Sequence, residues 1–232
     1  MKFIFPAAVI SAFGFATPML AQDNPVVVEL YTSQGCSSCP PADALLLEIA
    51  DREDVIALAL HVDYWDYIGW VDPFADPAHA KRQRAYAASR HSRSVYTPEM
   101  VVMGQTDILG TEPMKLSAAI ADHADAAQRV ALDVQRDGDE VVISARPLDE
   151  GLGAMTVHML RYTPLRTTRI KRGENRGKTL NYANVVEGWQ VLGTWDGVAP
   201  LEMRQTAPGD KPVVVILQAQ AMGPILAAAR VK

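Results

Sequence analysis

Residues 26–62, "VVVELYTSQGCSSCPPADALLLEIADREDVIALALHV", decide the fold predicted for this chain. Apolar and β-branched residues fill 26–32 and 54–62, a composition typical of buried strands. Between these runs, apolar residues recur at helical spacing after Pro40 and Pro41, and such prolines are tolerated only in the first turn of a helix. A strand, a helix and a strand of this length form a right-handed parallel crossover, so the front of the chain is predicted to be α/β.

Both cysteines of the chain lie at the start of the predicted helix, in "CSSC" at 36–39. Unpaired amide groups and the helix dipole at that position favour a thiolate, which makes Cys36 the more acidic and more reactive thiol. A disulfide between Cys36 and Cys39 closes a very small loop and therefore contributes little to stability. Redox exchange and metal capture are the two chemistries left open.

The N-terminal segment "MKFIFPAAVISAFGFATPMLAQDNP" combines Lys2, an apolar run and small residues up to Ala21, which is a signal-peptide pattern. We predict a signal peptide at 1–21 that is cleaved after Ala21; an uncleaved membrane anchor is the alternative. The mature protein is then expected to be periplasmic or secreted, where disulfides persist, and to meet a membrane only through an uncleaved signal peptide. The net charge of −5 argues against a nucleic-acid partner, because phosphate recognition needs a dominant basic field.

Two domains are predicted in the mature chain. The first, at 22–129, continues beyond the crossover with the aromatic segment 63–77, a helix at 78–92 and a strand at 95–104 that carries Thr97 and Pro98. The second, at 130–232, opens with "VALDVQRDGDEVVISARP", two alternating runs around an Asp-Gly turn, which is a strong hairpin signal. Further strand-like runs follow, and they predict an all-β, sandwich-like domain.

The order of these elements resembles the thioredoxin fold, and "YTSQGCSSC" is most similar to glutaredoxins. The wider pattern of "LYTSQGCSSCPPAD", "RQRAYA", "YTPEMVV" and "RGENRGKTLNYANVV" is similar to a family of secreted bacterial thioredoxin-like proteins of unknown function. This resemblance implies an α/β thioredoxin-like N-terminal domain. It also implies that Cys36 is the attacking thiol, that Cys39 is the resolving thiol, and that Thr97 precedes a cis-proline, Pro98, which shapes the substrate site.

Three further features each allow two interpretations. Glu29 lies in an apolar strand and is either a buried proton acceptor for Cys39 or an outward-facing residue. The aromatic segment 63–77 either walls the dithiol and selects its partner or is a self-packed surface loop. A basic run in the second half either docks an acidic partner or anionic lipid, or forms a solvated strand edge; its residues are Arg161, Arg166, Arg169, Lys171, Arg172, Arg176 and Lys178.

These patterns favour an exported thiol–disulfide oxidoreductase that works by dithiol–disulfide exchange at Cys36 and Cys39. Its expected substrate is a protein or a small thiol or disulfide, and no cofactor is predicted. The alternatives are a periplasmic copper(I) chaperone with Cys36, Cys39 and His61 as ligands, or a non-catalytic thioredoxin-like binding module. Other soft or nitrogen donors for copper are His91, Met100 and Met103.

Overall fold

The computed structural model describes residues 24–232, so the predicted signal peptide at 1–21 lies outside the described residues. Strand β1 (Val26–Thr32), helix α1 (Pro40–Ile49) and strand β2 (Val55–His61) form the predicted parallel crossover. The register is unbroken from the pair Val26 and Val55 to the pair Thr32 and His61. Every residue of both strands is buried, which explains why their sequences are almost continuously apolar.

The aromatic segment 63–77 follows β2 and contains a single 3-10 turn at Asp66–Ile68. Helix α2 (Pro77–Ser89) begins where the Asp76 carboxylate accepts a hydrogen bond of 2.8 Å from the Ala78 amide. Strand β3 (Glu99–Val102) then pairs antiparallel with β1, on the side away from β2, and is followed by β4 (Thr106–Leu109) and α3 (Pro113–Ala124). The fold therefore centres on β1, which is flanked by one parallel and one antiparallel neighbour.

Seven strands follow α3. In chain order they are β5 (Val130–Asp137), β6 (Glu140–Pro147), β7 (Met155–Arg169), β8 (Thr179–Trp195), β9 (Leu201–Thr206), β10 (Val213–Ala219) and β11 (Ile225–Val231). The hairpin predicted around the Asp-Gly turn is confirmed as β5 and β6. These two strands and β9 form a three-stranded antiparallel sheet, whereas the remaining four join the first half of the chain.

The predicted fold class was wrong. Instead of an α/β thioredoxin-like domain followed by a separate sandwich, one mixed sheet of eight strands runs through both halves in the order β11-β10-β7-β8-β2-β1-β3-β4. The described residues are mostly β, with 43% in strands against 18% in helices, and four strands of the second half extend the sheet of the first half. Within residues 24–232, no helix is long and apolar enough to cross a bilayer.

Strand β10 contributes to both hydrophobic cores of the described residues. Val214 and Ile216 pack with the core around β1 and β2, whereas Val213, Val215 and Leu217 pack with the core beneath the three-stranded sheet. A strand that is covered on both faces needs an unbroken apolar sequence, which "VVVIL" supplies. The same run read from sequence is equally typical of a sandwich interior, and this ambiguity led to the wrong prediction.

The long hairpin of β7 and β8 changes direction where it meets β2. Asn184 has a left-handed φ of 46°, and its side-chain amide donates to the Ala57 carbonyl at 2.9 Å, while the next residue, Val185, pairs with Ala59 in β2. Asn tolerates this backbone conformation better than most residues do. Beyond the bend, the hairpin contacts α1. We call residues 163–184 the arm and residues 170–178, which connect its two strands, the tip.

A buried ion pair fastens α2 to both halves. Glu29 in β1 is fully buried and accepts hydrogen bonds from the Arg82 guanidinium at 2.7 Å and from the Tyr86 hydroxyl at 2.7 Å. The same guanidinium donates to the Gln218 side chain in β10 at 2.9 Å and lies 4.2 Å from the ring centre of Trp189 in β8. The negative charge of Glu29 is thus compensated by Arg82 and Tyr86 on α2, and strands of the second half hold Arg82 in place.

Removing one member of this pair should cost far more than removing both. We expect Arg82→Met to lower the free energy of unfolding by about 3–5 kcal/mol, because it leaves the Glu29 carboxylate buried without a counter-charge. The double variant Glu29→Gln/Arg82→Met should recover most of that loss. Urea denaturation of the three proteins measures both effects, and equal losses in the single and double variants would contradict this account.

Candidate functional site

The cysteines lie in a short loop between β1 and α1. Cys36 and Cys39 form a disulfide, and residues 33–39 carry it from the carboxyl end of β1 into the first turn of α1. The Cys36 amide donates to the Ser33 carbonyl at 3.1 Å, while the Cys39 carbonyl accepts from the amides of Ala42 and Asp43 at 2.9 and 3.0 Å. Both cysteines are buried, and the two serines between them, Ser37 and Ser38, are exposed.

A cis peptide bond joins Thr97 and Pro98 beside the disulfide. The Thr97 carbonyl lies 3.8 Å from the Cys36 sulfur, and the Ser38 hydroxyl lies 3.3 Å from the same sulfur. Trp65 fixes Thr97 from the other side, because its indole N–H donates to the Thr97 hydroxyl at 2.7 Å. The structure therefore brings together Cys36, Cys39, Thr97 and Pro98, four of the residues selected from the sequence.

The close approach of Pro98 to α1 depends on a glycine. A Cβ atom at Gly110 would lie 2.9 Å from the Cβ atoms of both Ala42 and Pro98, which is closer than side-chain atoms pack. The Gly110 amide also donates to the Pro98 carbonyl at 2.9 Å. Gly110 thus lets the proline strand sit directly against the helix that carries Cys39.

The aromatic segment holds the loop through Asp72. This carboxylate is buried and accepts from the Gln34 amide at 2.8 Å, and the same oxygen lies 2.7 Å from Nδ1 of His61 at the end of β2. Gln34 is fixed further by Trp70, whose indole N–H donates to its side-chain oxygen at 2.9 Å. Segment 63–77 therefore contacts the loop at 33–39 that carries the cysteines, and its selection of a partner stays a prediction.

The tip of the arm holds the loop from the opposite half of the chain. Asn175 is fully buried, and its amide nitrogen donates to the carbonyls of Gln34 at 3.0 Å and Cys36 at 2.8 Å. Lys178 donates to the Asn175 side-chain oxygen at 2.8 Å, which orients the amide nitrogen toward the loop. The backbone on either side of Gly35 is thereby fixed by a residue about 140 positions further along the chain.

A buried carboxyl group lies one helical turn after Cys39. Asp43 in α1 accepts a hydrogen bond of 2.7 Å from the Thr32 hydroxyl, and burial raises the pKa of its carboxyl from 3.8 to about 7, against the opposing effect of His61. Tyr182 on the arm packs edge-on against the His61 ring, with centroids 4.9 Å apart. Burial and the two acids, Asp43 and Asp72, raise the pKa of the Tyr182 hydroxyl far above its ordinary value. Burial beneath the loop therefore favours the neutral forms of Asp43 and Tyr182.

Glu29 and the predicted copper donors lie in other environments. Glu29 pairs with Arg82 and Tyr86, and none of its hydrogen bonds reaches Cys39. Nδ1 of His61 is paired with Asp72, His91 lies exposed after α2, and Met100 and Met103 pack in the core. Within residues 24–232, no three side chains of His, Cys, Asp or Glu are grouped so that they could hold a metal ion.

Sequence reasoning missed Asp43, Asp72 and Asn175 as parts of this site. Asp43 was visible as an acid on the helix that begins at Cys39, one turn later, where apolar neighbours predict burial. Asp72 lies in the aromatic segment 63–77, which one interpretation of the sequence placed against the dithiol without assigning a role to any single residue. Asn175 lies in the family-like stretch "RGENRGKTLNYANVV", but no local pattern predicted its contact with the loop, because that contact joins residues about 140 positions apart.

Comparisons with known proteins agree with this architecture. A family model described as "Protein of unknown function (DUF1223)" matches residues 27–218. The chain belongs to this family. A solved structure of an Agrobacterium tumefaciens protein is 30% identical, with a TM-score of 0.77 over 91% of this chain and 96% of that one. The structure of HBP35 of Porphyromonas gingivalis shares the fold alone, at 14% identity, with a TM-score of 0.55 over 90% of this chain and 75% of that one. None of the curated proteins compared with the chain matches it.

Asn175→Ala tests whether the tip stabilises the dithiol loop. The variant loses two buried hydrogen bonds and leaves the carbonyls of Gln34 and Cys36 without that donor, so we expect the free energy of unfolding to fall by about 1–3 kcal/mol. Asn181→Ala is the matched control, because Asn181 accepts from Thr167 on the exposed surface of the same arm. It should change stability by less than about 0.5 kcal/mol in the same urea titration. Equal losses of stability in the two variants would contradict the role of Asn175 in holding the loop.

Asp43→Asn tests whether the pKa of the buried Asp43 carboxyl is raised in the folded protein. The pKa of this group is higher in the folded protein than in the unfolded chain, so the folded state holds a proton that the unfolded state releases between about pH 4 and pH 7. The contribution of Asp43 to stability therefore falls as the pH rises through that range. Relative to the variant, which still accepts from Thr32, the wild type should lose about 2–3 kcal/mol between pH 5 and pH 8. A stability difference that stays constant with pH would contradict the raised pKa.

Proposed function

We propose that the protein is an exported thiol–disulfide exchange protein that acts on a protein or small-molecule disulfide or thiol. In the reductive direction, the Cys36 thiolate attacks one sulfur of the substrate disulfide, and the other substrate sulfur leaves as a thiolate. The Cys39 thiolate then attacks the Cys36 sulfur and releases the second substrate thiolate. The substrate gains two electrons, and the protein is left with the Cys36–Cys39 disulfide. The oxidative direction is the same sequence in reverse.

The observation that carries this proposal is the different position of the two bonded cysteines: the Cys36 sulfur lies beside the exposed Ser38 and the partly buried Thr97, whereas Cys39 caps the start of α1. A substrate that docks on Ser38 and Thr97 meets the Cys36 sulfur first, whereas Cys39 is fully buried at the first turn of α1. Exchange in two steps needs this asymmetry, because one sulfur must meet the substrate and the other must attack only the mixed disulfide. The hydroxyl of Ser38 beside the Cys36 sulfur can also donate to a thiolate there.

The alternative of a purely structural disulfide is less well supported. The loop is already held by the Gln34 amide on Asp72 and by two hydrogen bonds from Asn175, none of which involves a sulfur atom. A bond that closes so small a loop adds little entropy-based stability on top of these contacts. The backbone that carries Cys36 therefore has its own support when the sulfurs are reduced.

Thr97 supports recognition of an extended substrate. Its carbonyl faces the Cys36 sulfur and the Ser38 hydroxyl, and the residue is only partly buried. A backbone N–H from a substrate strand can donate to such a carbonyl and hold the substrate sulfur at Cys36. The cis-proline that follows gives this carbonyl its position, so Thr97 and Pro98 are proposed as substrate-positioning residues and Glu29 is not.

Export is part of the proposal and rests on the sequence of the first 21 residues. The charged start, the apolar run and the small residues ending at Ala21 are typical of a cleaved signal peptide. A periplasmic or secreted location suits a dithiol that cycles with disulfides, because such compartments sustain oxidised thiols. No cofactor is required, since the electrons are carried by the two sulfurs.

Separate substitution of the cysteines tests the exchange mechanism. With a fluorescently labelled peptide disulfide as the probe, Cys39→Ser should accumulate a mixed disulfide through Cys36, since the resolving thiol is gone. Cys36→Ser should trap at least tenfold less, because the remaining thiol is enclosed. Non-reducing gels and mass spectrometry measure both adducts, and Ser38→Ala, which leaves both sulfurs in place, is the matched control and should turn over without trapping.

The competing chemistries give different outcomes in the same experiment. If neither single variant forms an adduct and the wild type has no reversible two-electron couple against glutathione, the exchange proposal is wrong and a non-catalytic binding module is favoured. A parallel copper(I) titration tests the remaining alternative, a copper(I) chaperone. Tight copper binding that is lost in both Cys36→Ser and Cys39→Ser would assign the pair to metal capture.

A further inference from the structure

The tip of the arm is a basic stretch that contacts the disulfide loop. Its exposed cations are Arg169 at its edge and Lys171, Arg172, Arg176 and Lys178 within it, and Glu174 is the one acid in the same stretch. Lys178 is engaged with the side chain of Asn175. Within residues 24–232, none of the other four cations takes part in a salt bridge. Four positive charges are therefore left without partners in a chain whose net charge is −5.

The backbone that carries these cations is attached to the loop that carries the disulfide. Asn175, in the middle of the basic stretch, bonds to the carbonyl of Cys36 itself, and Gly173 packs so closely on Trp70 that an added Cβ would lie 3.2 Å from the Trp70 Cβ. At the base of the tip, Thr168 accepts from the Gln34 side chain at 3.3 Å. One flank and the centre of the tip are thus attached to the loop or to the aromatic segment around it.

The tip also has a concave side. A depression of about 340 Å³ is lined by Arg169, Ile170, Lys171, Arg176 and Gly177, so three of the unpartnered cations converge on one recess. A recess of this size accepts one or two side chains of a bound segment rather than a whole element. Its lining of guanidinium and ammonium donors around a backbone turn suits carboxylates.

On the basis of the exchange function proposed above, we propose that the tip selects substrates: the protein exchanges with disulfides in protein segments that carry Asp or Glu residues near the reacting cysteine. The substrate sulfur lies at Cys36 while its neighbouring carboxylates contact Arg169, Lys171 and Arg176. Opposite charges around a site raise association rates and exclude segments of the wrong sign more than they raise affinity. The arm thereby supplies specificity to a dithiol that the first half of the chain carries.

Three synthetic peptides with the same disulfide and the same length test this selection: one with acidic residues beside the cysteine, one with neutral residues and one with basic residues. Stopped-flow measurement of the exchange rate at low ionic strength should show the acidic peptide reacting about tenfold or more faster than the basic one. The advantage should shrink as sodium chloride is added, because salt screens exposed charges. Equal rates for the acidic and basic peptides would overturn the proposal.

The matched variants are Lys171→Glu/Arg176→Glu at the tip and Arg146→Glu/Lys232→Glu elsewhere on the surface, which change the net charge equally and leave Asn175 and Lys178 in place. The tip variant should lose the preference for the acidic peptide, and the control variant should keep it. Equal losses in both would assign the effect to overall charge and overturn the proposal. Tighter binding of anionic phosphatidylglycerol vesicles than of the acidic peptide would also overturn it.

The neutral peptide distinguishes failure of the proposed role of the tip from failure of the proposed exchange function. If the wild type exchanges with it and shows no preference for acidic neighbours, only the assignment of the tip fails. If the wild type exchanges with none of the three peptides, the proposed exchange function itself fails.

Discussion

The two hydrogen bonds from the Asn175 amide to the carbonyls of Gln34 and Cys36 are the contact on which the site depends. They require the arm to bend at Asn184, to pass along α1, and to place its tip on a loop from the start of the chain. None of this is possible unless β8 lies beside β2 in one sheet. The continuity of the sheet and the shape of the dithiol loop are therefore consequences of the same arrangement.

The aromatic segment 63–77 and the arm stabilise each other around the loop. Phe74 and Tyr182 both pack edge-on against His61, and the Arg166 guanidinium lies 5.3 Å from the centre of the Phe74 ring. This packing encloses Asp72, so the carboxylate that holds the Gln34 amide is shielded from water and its hydrogen bonds are strong. Most of the loop at 33–39 thereby becomes part of the interior, and only Ser37 and Ser38 are exposed.

The sequence predicted the local parts of this structure and not their assembly. The crossover of β1, α1 and β2 and the hairpin of β5 and β6 depend on patterns within short stretches, which composition and turn residues report directly. The approach of Thr97 and Pro98 to the cysteines was implied by the family resemblance and not by any local pattern. The pairing of β8 with β2 joins residues more than a hundred positions apart, and its strands are as apolar as those of an independent sandwich. Periodicity determines which face of a strand is buried but not which strand lies beside it, so the fold class was predicted wrongly.

The same distinction between local and distant partners gives the two cysteines their different surroundings. Cys39 begins α1, and its carbonyl accepts from the amides of the first turn of that helix. Cys36 receives its support from elsewhere, because the amide of Asn175 binds its carbonyl. The position of the second cysteine is therefore fixed by a neighbouring element, and that of the first cysteine by a residue of the second half of the chain. A disulfide loop built in this way requires both halves of the chain for its shape.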